Sequence, residues 1–361
     1  VILFLHNRYR SSGGEERAVR NLMWLVRERL GEEAELLERD SVALGRVEAA
    51  QGLLRGGLAP EEVAGAVRRT GARVLHAHNI HPAFGWRALA AARGAGARVV
   101  LHLHQYRLVC AVGVCFTDGA QCTRCHARNT APGVVHNCRG NRAEALVYAT
   151  ALAAWQRRIA QYVDAFVVPS EFAAQRLREL GAPVAAPHVV PHPLPVGRPP
   201  AALSNDGFAL FAGRLEPEKG LAVAVEACRV AGVPLVVAGA GSERARFDGA
   251  PNVSFRGVLD ERQLAELRAR ACVAVVPSLF AETFGLAAAE SMAAGLPVAA
   301  SRIGALPEIV PEHWLSPPGD AGALAQTIDR LRGDGAAAEA GLSVMRATLA
   351  RAQSALAAVY S

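Results

Sequence analysis

The string Pro277-Ser278-Leu279-Phe280-Ala281-Glu282-Thr283-Phe284-Gly285 runs into Leu286, then on through Glu290 to Gly295-Leu296-Pro297-Val298, and holds two carboxylates around a glycine turn. The apolar run before it reads as a strand and the alanine-rich run after it as a helix. Phe284-Gly285 would open that helix, which leaves the backbone amides of Thr283 to Leu286 to receive a phosphate with the help of the helix dipole. Glu282 and Glu290 flank this anion site and suit neutral hydroxyls beside a diphosphate, such as those of a sugar and a ribose. A second string, Phe211-Ala212-Gly213-Arg214-Leu215-Glu216-Pro217-Glu218-Lys219-Gly220, supplies positive charge. Arg214 can grip phosphate through its planar fork, and Lys219 can act as a mobile point charge. Lys219 is also the only lysine in a chain with 38 arginines. Together the pair could neutralise a departing nucleoside diphosphate. Solvated loop residues and surface carboxylates are the plain alternative for both strings.

The first half carries looser signals. Gly13-Gly14 lack Cβ atoms and would let a loop approach a phosphate or an acceptor closely, or they form an ordinary turn. His104 stands at the end of the apolar run Val99 to Leu103, where it could hydrogen-bond a sugar. His102 shares its parity, so one of the two reads equally well as a core histidine. Cys110, Cys122, Cys125 and Cys138 are spaced C-x11-C-x2-C-x12-C, with Cys115 left over. Such a set can close a tetrahedral zinc shell. It lies in a polar stretch, 105–141, too long for a structureless loop in a compact domain, and a metal staple would hold its shape. Unligated reduced thiols, a disulfide and an iron–sulfur cluster are the alternatives.

These residues need elements to position them. Short apolar runs alternate with helix-length segments throughout, the pattern of parallel sheets flanked by helices. Strands are expected near Ile2 to Leu5, Val74 to Ala77, Val99 to Leu103, Ala165 to Val168 and Val189 to Val190. A proline-rich stretch from Pro191 to Asp206 interrupts the series. A second series follows near Ala209 to Ala212, Leu235 to Ala238, Val253 to Phe255, Val273 to Val276 and Val298 to Ala300. The expected organisation is an N-terminal domain, 1–192, with the cysteine-rich insertion; a linker, 193–206; a C-terminal domain, 207–340; and a last helix, 341–361, packing back on the first domain. The fold class is α/β, with two doubly wound sheets facing each other across a cleft.

Composition agrees with two globular domains: 361 residues, 51% hydrophobic and 20% charged. No apolar stretch approaches the roughly 20 residues that cross a bilayer. The opening run Val1 to Leu5 reads as a buried strand and not as the apolar part of a secretion signal, so a cytoplasmic protein is expected. Residues 1–200 carry 25 arginines against 16 acids, whereas the remainder carries 14 cations against 17 acids. The basic half suits a phosphorylated or lipid-linked acceptor, or contact with an anionic membrane face; a solvated arginine-rich surface is the bland alternative.

Gly213-Arg214-Leu215 with Lys219-Gly220, the Glu282 and Glu290 pair, and Gly295-Leu296-Pro297-Val298 together resemble the family 4 glycosyltransferases, which have the GT-B fold of two Rossmann-like domains. Gly13-Gly14, His76-Ala77-His78 and His104 match more loosely. The resemblance implies a retaining hexosyltransferase that uses a nucleoside-diphosphate sugar, UDP- or GDP-linked, with a sugar-containing acceptor and no metal in the chemistry. Carried over by motif, Arg214 and Lys219 hold the diphosphate, Glu290 the ribose, and Glu282 the donor-sugar hydroxyls. The amides of Phe284, Gly285 and Leu286 lie alongside, with Thr283, Gly213, Gly14 and Gly239 completing the donor site and His104 acting at the sugar. His192, in Val190-Pro191-His192-Pro193, replaces the asparagine common among relatives. Two rival readings are a sugar-nucleotide epimerase of the same architecture and a non-enzymatic module binding a polyanion or metal. Nucleic acid is not expected, since neither interleaved aromatics nor a zinc-finger histidine pair is present. A dehydrogenase is weaker still, because Gly239-Ala240-Gly241-Ser242 lacks the third glycine of a dinucleotide fingerprint.

Overall fold

A computed structural model describes residues 1–9, 13–197 and 207–361. Residues 198–206 of the expected linker lie outside the described residues. The chain forms two compact units: Val1–Thr117, Cys122–Pro193 and Arg351–Ser361 make the first, and Asp118–Gln121 with Leu194–Ala350 the second.

The first unit runs β1 (Ile2–Arg8), α1 (Gly14–Arg29), β2 (Ala34–Asp40), α2 (Arg46–Arg55), α3 (Pro60–Thr70), β3 (Val74–Ala77), α4 (Gly85–Gly94) and β4 (Arg98–His102). The insertion adds the two-residue strands β5 (Phe116–Thr117) and β6 (Ala120–Gln121) and the short helix α5 (Ala131–Val135). Then come α6 (Arg142–Gln161), β7 (Ala165–Val168), α7 (Glu171–Glu179) and β8 (His188–Val189). The main sheet has the order β2-β1-β3-β4-β7-β8, all parallel. Three expectations shift. The fourth strand stops at His102, so Leu103 and His104 belong to the loop beyond it; β8 sits one residue earlier than expected; and β2 was not foreseen. That strand, Ala-Glu-Leu-Leu-Glu-Arg-Asp, pairs with β1 over its whole length at the sheet edge. Edge strands carry exposed charge, which removes the apolar run by which a buried strand is recognised.

The second unit runs β9 (Ala209–Ala212), α8 (Leu221–Val230), β10 (Leu235–Ala238), β11 (Val253–Gly257), α9 (Glu261–Arg270), β12 (Val273–Val276), α10 (Leu286–Ala293) and β13 (Val298–Ser301). It continues with α11 (Leu306–Ile309), β14 (Leu315–Ser316), α12 (Ala321–Leu331) and α13 (Gly335–Tyr360). Its sheet order is β11-β10-β9-β12-β13-β14, again all parallel. Strands β10, β12 and β13 are buried along their whole length because helices cover both sheet faces, which is why they read as unbroken apolar runs.

Strand order locates the sites. In an open parallel sheet, successive crossovers run in opposite directions from one point, and loops leaving the carboxyl ends there open a crevice. In the second unit that point lies between β9 and β12, whose following loops are the two chemically loaded strings. In the first it lies between β1 and β3, followed by Tyr9 and by His78-Asn79.

Close backbone approach explains the glycine after β10 but not the one after β9. A Cβ on Gly239 would stand 1.8 Å from the Gly213 carbonyl oxygen, at a φ of +148°, whereas a Cβ on Gly213 meets nothing within 4 Å. Gly239→Ala is therefore expected to destabilise by about 2–4 kcal/mol. Gly213→Ala should stay within about 1 kcal/mol of the parent and act on ligand affinity instead. Denaturant melts of the two variants check this contrast.

Candidate active site

In the second unit the two strings are laced together. The Leu279 amide donates to the Glu218 carbonyl oxygen at 2.8 Å. Gly220, at φ +73°, packs so close to Pro277 that a Cβ would fall 2.0 Å from its carbonyl oxygen. Lys219 Nζ donates to Glu282 Oε1 at 2.8 Å and lies 4.5 Å from the centroid of the Phe280 ring. Ser278 Oγ donates to the same Glu282 oxygen at 2.7 Å. The Glu282 backbone is fixed from a third side, since its carbonyl accepts from the Ala305 amide at 2.9 Å and Gly304 leaves no room for a Cβ against its nitrogen. The structure thus brings Lys219 and Glu282 into one ion pair, with side chains 21% and 12% exposed. Arg214, nearly half exposed, is steadied by the buried Glu218 at 2.8 Å.

Gly285 caps α10 at φ +92° and, having no side chain, makes no cap hydrogen bond of its own. Its conformation is tied to packing, because a Cβ would lie 2.5 Å from Leu306 Cδ2. Phe284 is buried beneath this turn, anchoring it, with Thr283 before it and Leu286 as the first helical residue. Glu290 is nearly buried in α10 and accepts from Arg268 Nη2 at 2.5 Å. Arg268 was not singled out from the sequence. It sits near the end of α9 among other arginines, and nothing in its local pattern marks it.

The first unit holds a polar pocket at its own switch point, lined by Tyr9, Glu15, Asn79, His104, Gln105 and Arg107 among others. Gly13 is the N-cap of α1 and Gly14 its first residue. Glu16 Oε2 accepts from the Gly13 amide at 2.9 Å and its Oε1 from the Tyr9 amide at 3.2 Å. Burial pushes the Glu16 carboxyl up, but the His6 ring, 3.8 Å away, and the hydrogen bonds from these amides outweigh it, and the net shift is downward. Its neighbour behaves oppositely: burial raises Glu15, which accepts from Tyr9 Oη at 2.7 Å and from Gln105 Nε2 at 3.2 Å. The Arg107 guanidinium lies 5.0 Å from the Tyr9 ring centroid. One turn start thus carries a carboxylate held charged and a carboxyl held toward its neutral form, beside a half-buried cation.

Beneath the pocket lies a stack of buried histidines. His76 and His78 alternate on β3 and its exit, His102 and His104 on β4 and its exit, so all four project from one sheet face. The His102 and His104 rings are 4.2 Å apart and within 8° of parallel; His192 follows at 5.0 Å from His104. His78 Nδ1 and His104 Nε2 share a hydrogen bond of 2.7 Å, and His76 Nδ1 meets Tyr360 Oη at 2.6 Å. Burial lowers every one of them: His76 and His192 to about 3, and His78, His102 and His104 well below the ordinary imidazole value. These rings are neutral at physiological pH. Both His102 and His104 are thus buried, and neither is an isolated core residue. Two trios, His76 with His78 and His102, and His102 with His104 and His192, bring ring nitrogens within 4.8 Å of one another. A bound ion must lie in the plane of each ring it binds, so the face-to-face packing of His102 and His104 suits a neutral stack better than a metal centre.

Cys110, Cys122, Cys125 and Cys138 all line one cavity in the insertion, together with Cys115 and His136. None of the five cysteines is in a disulfide. A hydrogen bond from the Cys115 thiol, with backbone amides, lowers Cys110 to about 6; the same bond raises Cys115, and burial lifts Cys125 to about 11.

Comparison with known proteins assigns both units. Residues 24–193 match the family model described as glycosyl transferase 4-like domain, and residues 207–334 the one described as glycosyl transferases group 1. Among curated relatives, an uncharacterised glycosyltransferase of Methanocaldococcus jannaschii is 33% identical over 145 residues, 36% of this chain and 37% of that protein. A GDP-mannose-dependent alpha-(1-6)-phosphatidylinositol dimannoside mannosyltransferase of Mycobacterium tuberculosis is 44% identical over 108 residues, 27% of this chain and 28% of the relative. The aligned stretches therefore span well under half of either relative. In fold, the chain is similar to sucrose-phosphate synthase from Thermosynechococcus elongatus, with a TM-score of 0.68 at 20% identity over 99% of this chain and 98% of that one. It is also similar to Anabaena HepE in complex with UDP and glucose, with a TM-score of 0.64 at 17% identity over 100% and 99% of the two chains. Two parallel α/β units, each with its own family match, make this chain a member of the family 4 glycosyltransferases, of GT-B fold.

Proposed function

We propose that the chain is a retaining hexosyltransferase that moves a sugar from a nucleoside-diphosphate donor to an acceptor. The observation that carries this reading is the ion pair of Lys219 with Glu282 just before α10, joining two loops at one switch point, with Arg214 held by Glu218 on the first of them. A leaving diphosphate needs fixed positive charge and preorganised donors, because its charge develops as the glycosidic bond breaks. Arg214 and Lys219 supply the first, and the amides from Thr283 to Leu286 the second. Glu282 has one oxygen occupied by Lys219 and Ser278, which turns the other toward donor-sugar hydroxyls. Glu290, oriented by Arg268, takes the ribose, and the glycine at 213 with its neighbour Gly239 keeps the floor of the site low. In the first unit, His104 is a neutral hydrogen-bonding group for the sugar, and the Glu15 and Arg107 pocket beside Gly14 receives the acceptor. Retention and metal-free chemistry follow from the family resemblance.

The donor is a UDP- or GDP-linked sugar. Relatives named for GDP-mannose dependence and a neighbour solved with UDP and glucose support that class. Thermal-shift titration with UDP, GDP and ADP tests it. A matched nucleotide at about 100 times its Kd should stabilise by about 2.7 kcal/mol, or roughly 5–11 °C for a unit of this size. Glu290→Ala should abolish the shift; an unchanged shift removes Glu290 from the site. Product analysis separates transfer to an acceptor from epimerisation of a sugar still joined to its nucleotide.

The arginine excess of residues 1–200 favours an acceptor carrying phosphate, free or lipid-linked, met at an anionic membrane face. Among the described residues no helix is long and apolar enough to cross a membrane. Faster turnover of a phosphorylated than of a neutral acceptor at low salt is the expected result; equal rates would count against it.

A further inference from the structure

We infer that the cysteine-lined cavity of the first unit is a structural zinc site, held by Cys110, Cys122, Cys125 and Cys138, that fixes the loop carrying Gln105 and Arg107. The metal claim stands apart from the transferase reading; only its link to Arg107 rests on that reading. Three separate segments deliver thiols to one cavity: Cys110 and Cys115 from the loop after β4, Cys122 and Cys125 from the turn after β6, and Cys138 from the segment after α5. Cysteines that merely fill space are buried in a core, as Cys228 and Cys272 are in the second unit. Cys110, Cys122 and Cys138 are instead only partly buried, in a region of two-residue strands and a five-residue helix. Elements so short cannot hold themselves, and small modules of this kind are commonly organised by a metal. The backbone is also locally strained. Cys115, Asp118, Ala127 and Asn137 all adopt positive φ without being glycine.

The contacts separate the ligands from the bystander. Cys115 is the most deeply buried of the five, 3% exposed, and packs in the core of the unit. Such a thiol fills space in the core and is left over from the set of four. Soft thiolates select zinc over hard cations. Four thiolates around one zinc ion leave the site with two negative charges. Arg124, with Nη1 3.9 Å from Cys122 Sγ, and Arg176, which acts electrostatically on Cys115, face that charge. Among the described residues no three of these sulfurs lie within 4.8 Å of one another, so binding requires them to draw together. The loop that would be anchored is closed on itself: the Tyr106 amide donates to the Gly113 carbonyl, the Cys110 amide to the Tyr106 carbonyl, and Arg107 Nη2 to the Val112 carbonyl at 3.3 Å.

Elemental analysis of the full chain after gel filtration should give about one zinc per chain. Cys122→Ala should lose it and Cys115→Ala should keep it. Because Cys122→Ala could misfold, cobalt exchanged into the unmutated protein provides a second reading: sulfur-to-cobalt charge-transfer absorption with tetrahedral ligand-field bands is expected. The inference is overturned if the protein carries no metal while all five insertion thiols react with a thiol reagent, if iron is found in place of zinc, or if Cys115→Ala loses metal as fully as Cys122→Ala. Chelated protein should still bind nucleoside diphosphate, whose site lies in the second unit, yet transfer sugar poorly. Undiminished transfer after complete metal removal would overturn the positioning of Arg107.

Discussion

Lys219→Ala is expected to lower kcat/KM for sugar transfer by about 10²–10³-fold, the usual cost of deleting one preorganised group that stabilises developing charge. Two effects combine in that loss. The ammonium no longer faces the departing diphosphate, and Glu282 is left nearly buried without its cation. Breaking a buried pair from one side costs about 3–5 kcal/mol, and less here because Lys219 keeps part of its surface in water. A double-mutant cycle with Glu282→Gln separates the two. The double variant should recover most of the lost stability, since no unpaired charge remains, but little of the activity. Recovery of both would make the pair a structural brace and remove Lys219 from the chemistry. Arg214→Ala is the cleaner companion: its side chain is half exposed, so its melting temperature should hardly move while nucleotide affinity falls.

Acidification should unfold the protein unusually early. An imidazole in the unfolded chain titrates near about 6.5, whereas His76 and His192 are held at about 3 and His81 at about 4, each chiefly by burial and His81 also by Arg107. Below 6.5 the unfolded chain therefore takes up protons that the folded chain refuses. Stability that is complete above that value drains as the pH falls toward 3. Between pH 7 and 5 each of these groups should remove about 2 kcal/mol, and the three together a large share of a domain's total of about 5–15 kcal/mol. His78, His102 and His104 shift in the same direction and add to the loss. Glu15 works the other way, since a carboxyl raised by burial gains relative stability in acid, but it is a single group. Glu16, lowered, reinforces the acid loss. Urea melts at pH 7, 6 and 5 should show a steep fall in the first unit, which carries all these residues. A flat profile would mean that the stack is hydrated and not buried.

What the sequence disclosed followed from how each residue is positioned. Strands buried on both faces, such as β10 and β12, betray themselves by unbroken apolar runs, and the loops after β9 and β12 carry their chemistry in contiguous strings. Strand β2 hid because an edge strand rich in glutamate and arginine resembles the polar face of a helix. Arg268 hid because its role depends on the approach of α9 to α10, a relation that no local spacing encodes. The histidines were visible singly, but their union was not: parity places His76 with His78 and His102 with His104, and only the order β1-β3-β4 sets them side by side. Glu15 and Arg107 were missed for the same reason, since they meet Tyr9 only once α1 and the loop after β4 close on the β1 exit. The cysteine spacing was legible, whereas the role of Cys115 beside Cys110 needed the fold of the loop between them.

The central claim is that the loops after β9 and β12 hold a nucleoside diphosphate, and a crystal structure of the protein with bound UDP or GDP tests it most directly. The account requires phosphate oxygens within about 3 Å of Arg214, Lys219 and the amides opening α10, with the ribose against Glu290. Nucleotide bound elsewhere, or a pyrophosphate that touches neither cation, would contradict it.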